Sequence, residues 1–131
     1  YAITYFYNVY GGRENSDGEY ATVVAKFLNR YRMNKKLHVT KPGTQTRNFT
    51  YIEDIINALK IIAEKGTGDE YGIANPNTYS IEEVAKLISN DIEYVKENPA
   101  NRMSSQVITK KTYDLGWKPR QELSDYIKNN L

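Results

Sequence analysis

Residues 44–66 read T-Q-T-R-N-F-T-Y-I-E-D-I-I-N-A-L-K-I-I-A-E-K-G and contain the clearest secondary-structure signal in the chain. Apolar residues recur there at helical spacing, and Lys65 followed by Gly66 is typical of a helix end. The apolar stripe consists of Ile52, Ile55, Ile56, Leu59, Ile62 and Ala63. Thr50 and Glu53 have the spacing of a capping box, in which a hydroxyl and a carboxylate satisfy the first free backbone amides. The stretch therefore predicts a long amphipathic helix.

Short strands alternate with helices on both sides of this segment. Strands are predicted over residues 2–7, 37–40, 70–74 and 91–96, and further helices over 19–33, 81–88, 109–115 and the C-terminal end. Ser80 and Glu83 form a second capping box. The core-facing residues predicted for the other helices are Val23, Val24, Phe27, Leu28, Tyr31, Ile81, Val84, Ala85, Ile88, Leu123, Tyr126 and Ile127. With 131 residues and no internal repeat, the chain is predicted to be a single α/β or α+β domain.

Composition excludes several kinds of chemistry. The chain has no cysteine, so a disulfide, a thiolate nucleophile and a cysteine metal site are all impossible. The single histidine, His38, cannot build a zinc site alone, and no metal is expected. No apolar run approaches the length of a membrane span, so no membrane contact is expected. The absence of cysteine fits a reducing compartment.

The net charge is only +2, but its distribution along the sequence is uneven. Residues 26–47 contain seven basic residues and no acidic one, whereas residues 48–97 contain ten acidic residues against four basic ones. One interpretation is a solvated helix face, and the other is a basic stretch near a bound anion. So small a net charge does not favour a nucleic-acid partner.

Three arginines lie in polar segments predicted to be loops: Arg13, Arg47 and Arg102. The planar guanidinium group donates two parallel charged hydrogen bonds and is well shaped for phosphate. From the residues alone, each could equally be a surface arginine. The sequence has no glycine-rich dinucleotide or P-loop fingerprint, and no catalytic set can be assembled from its residues.

Four motifs in order resemble one known family. Four segments are similar to segments of the extended short-chain dehydrogenases/reductases. They are Y-F-Y-N-V-Y-G-G-R-E-N at 5–15, G-T-Q-T-R-N-F-T-Y-I-E-D at 43–54, Y-G-I-A-N-P-N-T-Y-S-I-E-E-V-A at 71–85 and L-G-W-K-P at 115–119. The residues of these motifs most resemble those of nucleotide-sugar 4-epimerases of the UDP-glucose 4-epimerase type and of sugar-nucleotide 4,6-dehydratases. Asn48 departs from the motif, where the family usually has aspartate.

The resemblance implies roles for particular residues. Arg47 and Arg102 match arginines that bind the substrate diphosphate, and Asn8 matches an asparagine that contacts the substrate near it. Thr22 and Val39 fall in segments that line the nucleotide pocket. Tyr7 lies where the family's chain passes the nicotinamide of the cofactor.

The resemblance also implies the chain's place in a larger enzyme. Residues 1–131 correspond to one substrate-binding domain, in which residues 1–11 are the last part of the Rossmann-side sheet and the crossover loop. The NAD-binding half and its Tyr-x-x-x-Lys catalytic pair lie outside these residues, so no catalytic residue is expected and the piece alone should be inactive. The intact enzyme would be a cytoplasmic homodimer that uses NAD and interconverts nucleotide-sugar epimers through a 4-keto intermediate, with a UDP-sugar as the expected substrate. The alternatives are a 4,6-dehydratase or a non-catalytic nucleotide-sugar-binding module.

Overall fold

The computed structural model describes residues 1–18, 21–96, 103–104 and 106–131, in which short strands and helices alternate. The helices are α1 (Val23–Arg32), α2 (Ile52–Lys65), α3 (Ile81–Ile88), α4 (Lys110–Asp114) and α5 (Leu123–Asn130). The strands are β1 (Ala2–Phe6), β2 (Val9–Tyr10), β3 (Leu37–Thr40), β4 (Thr46–Asn48), β5 (Thr50–Tyr51), β6 (Gly68–Ile73), β7 (Thr78–Ser80) and β8 (Ile92–Val95). The predicted mixture of helices and strands is confirmed.

The strands form four two-stranded pairs. Three are parallel, and each joins strands distant in sequence: β1 with β6, β2 with β5, and β3 with β8. Because parallel neighbours need a crossover connection, helices lie between the paired strands along the chain. The fourth pair, β4 with β7, is antiparallel and places Arg47 opposite Tyr79. The segment around Arg47 was predicted to be a loop, and that prediction is wrong.

Two apolar clusters form the core. The larger contains the buried faces of α1, α3 and α5 together with β3. The smaller joins the buried face of α2 to β6 and to Trp117 of the L-G-W-K-P motif. The Trp117 indole N–H donates to the Asp54 carbonyl at 2.9 Å, which attaches the C-terminal motif to the start of α2. The predicted inward residues of α3 and α5 are all buried.

The two predicted capping boxes have different outcomes. Ser80 is the N-cap of α3, and its hydroxyl accepts a hydrogen bond from the Glu83 amide at 3.0 Å, as predicted. The prediction for Thr50 is wrong, because Thr50 belongs to β5 and Tyr51 is the N-cap of α2, without a side-chain cap. The Thr50 hydroxyl instead accepts from the buried amide of Asn75 at 3.0 Å. The Thr50 hydroxyl oxygen, which would accept the capping bond, is therefore bound to a backbone amide distant in sequence.

Two helical stripes are narrower than predicted. Tyr31 of α1 was expected to face the core but is 40% exposed. In α2, Ile55 and Ile62 are buried, whereas Ile52 and Ile56 are exposed. Apolar residues at helical spacing cover a wider arc than the part of a helix surface that its neighbours contact.

Candidate functional site

A cavity of about 360 Å³ opens between the start of α1, the end of β3, and β4. Its volume lies within the range of about 300–1,000 Å³ that is typical of small-molecule sites. The polar side chains in its wall belong to Asn8, Thr22, Thr40, Gln45 and Arg47. Three of the residues predicted to bind substrate therefore meet in one cavity, although they come from three separate segments of the sequence.

Arg47 is the only charged residue among the described residues that line this cavity. It is partly buried on β4, and its Nη1 donates to the neighbouring Thr46 carbonyl at 2.7 Å. A guanidinium carries five N–H donors, so this bond leaves most of them available. Within the described part of the chain, no carboxylate forms an ion pair with Arg47. The side chain is therefore suited to an anionic ligand.

Asn8 occupies the short connection between β1 and β2 with a positive φ of 45°. Asparagine adopts this left-handed conformation more readily than most residues. Its carbonyl accepts a hydrogen bond from the Thr50 amide at 3.2 Å, which holds the connection against β5. The fold thus fixes the backbone of Asn8 at the rim of the cavity.

Thr22 is the N-cap of α1, but its side chain does not cap the helix. Thr22, Val23 and Val24 all line the cavity, so the first turn of α1 faces it. The free amides and the dipole at a helix start favour negative charge. The helix start and Arg47 therefore give the cavity two separate positive features.

Gln45 is a cavity residue that the sequence interpretation missed. It is 2% exposed, and its side-chain amide donates to the Thr40 carbonyl at 3.1 Å. Its backbone carbonyl accepts from the Ile81 amide at 3.0 Å, which joins the motif to α3. The available signal was its place two residues before Arg47, since alternate residues of a strand share a face.

The remaining predicted residues lie outside the cavity wall. Val39 is fully buried in the core, and its strand reaches the cavity through the adjacent Thr40. The Tyr7 hydroxyl accepts from the Ile108 amide at 3.4 Å, away from the cavity. Arg102 lies outside the described residues. The roles of these three residues stay predictions.

A dinucleotide does not fit the described residues by themselves. A dinucleotide fold places a glycine-rich turn directly between a strand and a helix, where the helix start meets the pyrophosphate. Here Gly11 and Gly12 follow β2, but ten further residues of the sequence separate them from the start of α1. Nor do the described residues contain a cluster of three metal-binding side chains or a helix long and apolar enough to cross a bilayer.

Asn48, which departs from the motif, attaches β4 to the segment that follows β6. It is 3% exposed, and its side-chain amide donates to the Asn75 carbonyl at 2.7 Å. Asn75 in turn donates to the Glu122 carboxylate at 2.9 Å. Burial by itself would raise the pKa of Glu122, but hydrogen bonds from Asn75, Asn77 and Tyr79 together lower it. A polar network therefore joins the strand of Arg47 to the C-terminal segment.

The cavity can hold an anion but has little capacity for acid–base chemistry. Among the described residues that line it there is no carboxylate, histidine, lysine or tyrosine. A general base must lie within hydrogen-bond reach of the proton that it removes. The arrangement is therefore one for binding and orienting a ligand.

Known proteins are similar to this chain in both sequence and fold. UDP-glucuronic acid decarboxylase 5 from Arabidopsis thaliana is 32% identical over 130 residues, covering 94% of this chain and 38% of that protein. The dTDP-D-glucose 4,6-dehydratase of Homo sapiens is 29% identical over 143 residues, covering 98% and 40% respectively. The crystal structure of UDP-glucose 4-epimerase from Thermotoga maritima with UDP-glucose superimposes with a TM-score of 0.89 at 26% identity, covering 98% of this chain and 43% of that one.

The family match covers residues 1–75, which contain Asn8, Thr22 and Arg47. The chain spans about two fifths of the length of the relatives named above. Structural similarity extends over nearly all of these 131 residues. Because the family match includes more than half of the chain, the chain belongs to the NAD dependent epimerase/dehydratase family.

Proposed function

We propose that this chain is the substrate-binding domain of an NAD-dependent nucleotide-sugar 4-epimerase, and that the cavity holds the nucleotide diphosphate. The observation that carries the proposal is the meeting of Asn8, Thr22 and Arg47 in one cavity. Asn8 and Arg47 occupy the positions of substrate-binding residues in the motifs that the chain resembles, and Thr22 falls in a segment that the resemblance assigns to the nucleotide pocket. Residues 1–131 would act as one domain, and the catalytic pair and most of the NAD contacts would come from elsewhere in the intact protein.

The energetics favour a diphosphate as the ligand. Each hydrogen bond from Arg47 to a phosphate oxygen is worth roughly 1.5–3 kcal/mol, because the acceptor is charged. The start of α1 contributes about 0.3–1 kcal/mol more to an anion placed against it. By holding the diphosphate, the domain would orient the sugar toward the reacting groups.

The similarity to the Thermotoga maritima UDP-glucose 4-epimerase favours an epimerase that acts on a UDP-sugar. A 4,6-dehydratase is the second candidate, because the human dTDP-D-glucose 4,6-dehydratase matches 98% of this chain. Product mass separates the two reactions: epimerisation conserves the mass of the nucleotide sugar, whereas dehydration removes one water.

A binding panel tests the proposed site. The intact protein is titrated with UDP-, dTDP-, GDP- and ADP-sugars, and the best ligand is measured again with Arg47→Ala and with Arg13→Ala. Arg13 is exposed and does not line the cavity, so it is a matched control. Arg47→Ala is expected to weaken binding by about tenfold or more, the equivalent of a single charged hydrogen bond. An effect within about twofold, or an equal loss in Arg13→Ala, would exclude the assignment of Arg47.

We also propose that these 131 residues alone have no turnover, because the cavity offers no general base among its described residues. Incubating the isolated chain with NAD and the best-binding nucleotide sugar tests this. Epimerised or dehydrated product above the level of a protein-free control would refute it.

A further inference from the structure

Glu14 is a half-buried residue between β2 and α1, in the same connection as the cavity residues Ala21 and Thr22. Both of its carboxylate oxygens are shielded from solvent, and neither has a hydrogen-bond partner among the described residues. The Thr22 hydroxyl is also shielded from solvent and has no hydrogen-bond partner among the described residues. Buried polar groups almost always have partners, so two such groups beside a candidate binding site require an explanation.

The other side of Glu14 faces a second, smaller cavity of about 190 Å³ between the loop, α1 and α5. Arg32, Tyr126 and Asn130 also line this cavity. Arg32 donates to the Asn130 carbonyl at 3.0 Å and makes no ion pair with Glu14. The Thr22 amide donates to the carbonyl of Asn15, the residue after Glu14, at 3.2 Å, which holds Thr22 beside the Glu14 segment. The Arg32 guanidinium, which is directed to Asn130, lies on the side of the smaller cavity.

The electrostatics agree with this geometry. Burial raises the pKa of Glu14, and the nearby polar groups of Thr22 and Gly11, which favour the ionised form without making a hydrogen bond to it, offset only part of that increase. Burial also raises the pKa of Tyr126, the charge of Glu14 adds to that increase, and Arg32 opposes it. Among the described residues, Arg32 and Tyr126 are the titratable side chains that line the smaller cavity with Glu14, and the polar ones are Ser16, Asn29 and Asn130.

We propose that Glu14 is a positioning residue that acts on the cavity through Thr22 and takes up a proton when a nucleotide diphosphate binds. This inference rests on the proposed function. A diphosphate beside Thr22 places negative charge near a carboxylate whose oxygens are shielded from solvent, which disfavours the ionised form of Glu14. A proton from the solvent then binds the carboxylate, and the neutral acid can donate to the Thr22 oxygen.

The coupling has a definite sign. Bound diphosphate raises the pKa of Glu14 above its value in the free protein. Affinity is then constant below the free pKa, falls as pH rises from the free to the bound pKa, and is constant and lower above it. Each unit of difference between the two pKa values appears as about a tenfold change in affinity.

Calorimetric titration of the intact protein with UDP-glucose tests the coupling. The diphosphate of UDP-glucose is esterified at both ends and does not itself titrate near neutral pH. Titrations in buffers of different ionisation enthalpy, repeated across the pH range, give the number of protons taken up on binding. The variants are Glu14→Gln and the control Glu64→Gln, which removes an exposed carboxylate on α2.

Wild type and Glu64→Gln are expected to take up a fraction of a proton, with affinity falling as pH rises. Glu14→Gln is expected to take up none and to bind with a flat pH profile. Binding without proton uptake in wild type, or unchanged uptake in Glu14→Gln, overturns the inference and leaves the proposed function intact. If UDP-glucose and the other nucleotide sugars fail to bind wild type at all, the proposed function itself is overturned.

A second variant covers the case in which Glu14→Gln does not fold. Thr22→Val removes the hydroxyl between Glu14 and the cavity while keeping the shape of the side chain. It is expected to reduce the number of protons taken up per ligand bound, whereas unchanged uptake would show that the coupling does not pass through Thr22.

Discussion

Replacing Asn48 by aspartate, the residue usual in the motif, is expected to destabilise this protein. The Asn48 side-chain amide is the donor to the Asn75 carbonyl at 2.7 Å, and the residue is 3% exposed. An ionised aspartate has no donor, so the change would place a carboxylate oxygen against a carbonyl oxygen in a site closed to water. The chain thus carries an amide where its own contacts require one.

The cost follows from two losses. The hydrogen bond itself contributes about 0.5–1.5 kcal/mol net. A buried charge without a partner costs about 3–5 kcal/mol in proteins where one member of a buried pair has been removed. Since the aspartate can partly escape by taking up a proton, we expect the free energy of unfolding to fall by about 3–4 kcal/mol at neutral pH.

The loss should depend on pH. Burial raises the pKa of the new carboxyl in the folded state above its unfolded value of about 3.9. Below that unfolded value both states are protonated, and the neutral acid can donate to Asn75, so the variant approaches wild type. As pH rises, the unfolded state ionises first, and the deficit grows until the folded-state pKa is passed.

Urea unfolding of wild type, Asn48→Asp and Asn48→Ala across the pH range measures the effect, with the exposed Asn57→Asp on α2 as the control. Asn48→Ala should lose about 1–3 kcal/mol independently of pH, because it removes the donor without adding charge. A deficit of Asn48→Asp that stays constant with pH, or that matches Asn57→Asp, would refute the reasoning.

The other predictions also concern the free energy of unfolding, measured in urea. Ser80→Ala should cost about 1 kcal/mol because it removes the observed N-cap of α3, whereas Glu53→Gln should change little, because no capping box forms at α2. Equal effects of these two changes would contradict the assignment. Thr50→Val should cost about 1–3 kcal/mol by leaving the buried Asn75 amide unpaired, and a neutral result would show that this amide finds another acceptor. Trp117→Phe should also cost about 1–3 kcal/mol, since it removes part of a buried ring together with the indole hydrogen bond to the Asp54 carbonyl; full stability would mean that this contact is dispensable.

Local pattern predicted the helices well because a helix is specified by neighbouring residues. The inward faces of α3 and α5 and the cap at Ser80 follow from spacing alone. Thr50 was assigned wrongly for a physical reason: its hydroxyl could serve either its own helix or a distant donor. Only the fold brings the amide of Asn75, 25 residues away, close enough to compete.

Less of the candidate site than of the fold could be predicted from local sequence pattern. The spacing of Asn8, Thr22 and Arg47 in the sequence does not indicate that they lie together. The family resemblance alone assigned all three to substrate binding, and in the structure all three line one cavity. Gln45 was missed because its spacing from Arg47 is informative only if Arg47 lies on a strand, whereas the sequence predicted a loop there. Glu14 was missed because its loop is polar and most of its residues are exposed. Burial of single polar residues depends on distant contacts that the local sequence does not contain.

The polar network behind the cavity explains why the motifs extend along so much of the chain. Asn48 is bound to Asn75, and Asn75 is bound to Glu122, so β4 is connected to the end of β6 and to the start of α5. The backbone amides of Arg120 and Gln121 donate to Asp54 at 3.0 Å, which connects the same C-terminal segment to α2. Arg47 lies on β4, which this network joins to Asn75 and, through Asn75, to Glu122 at the start of α5. The ligand contact proposed for Arg47 requires that β4 keep its position, so the network assigns the residues after Trp117 to the support of the proposed site, although none of them lines the cavity.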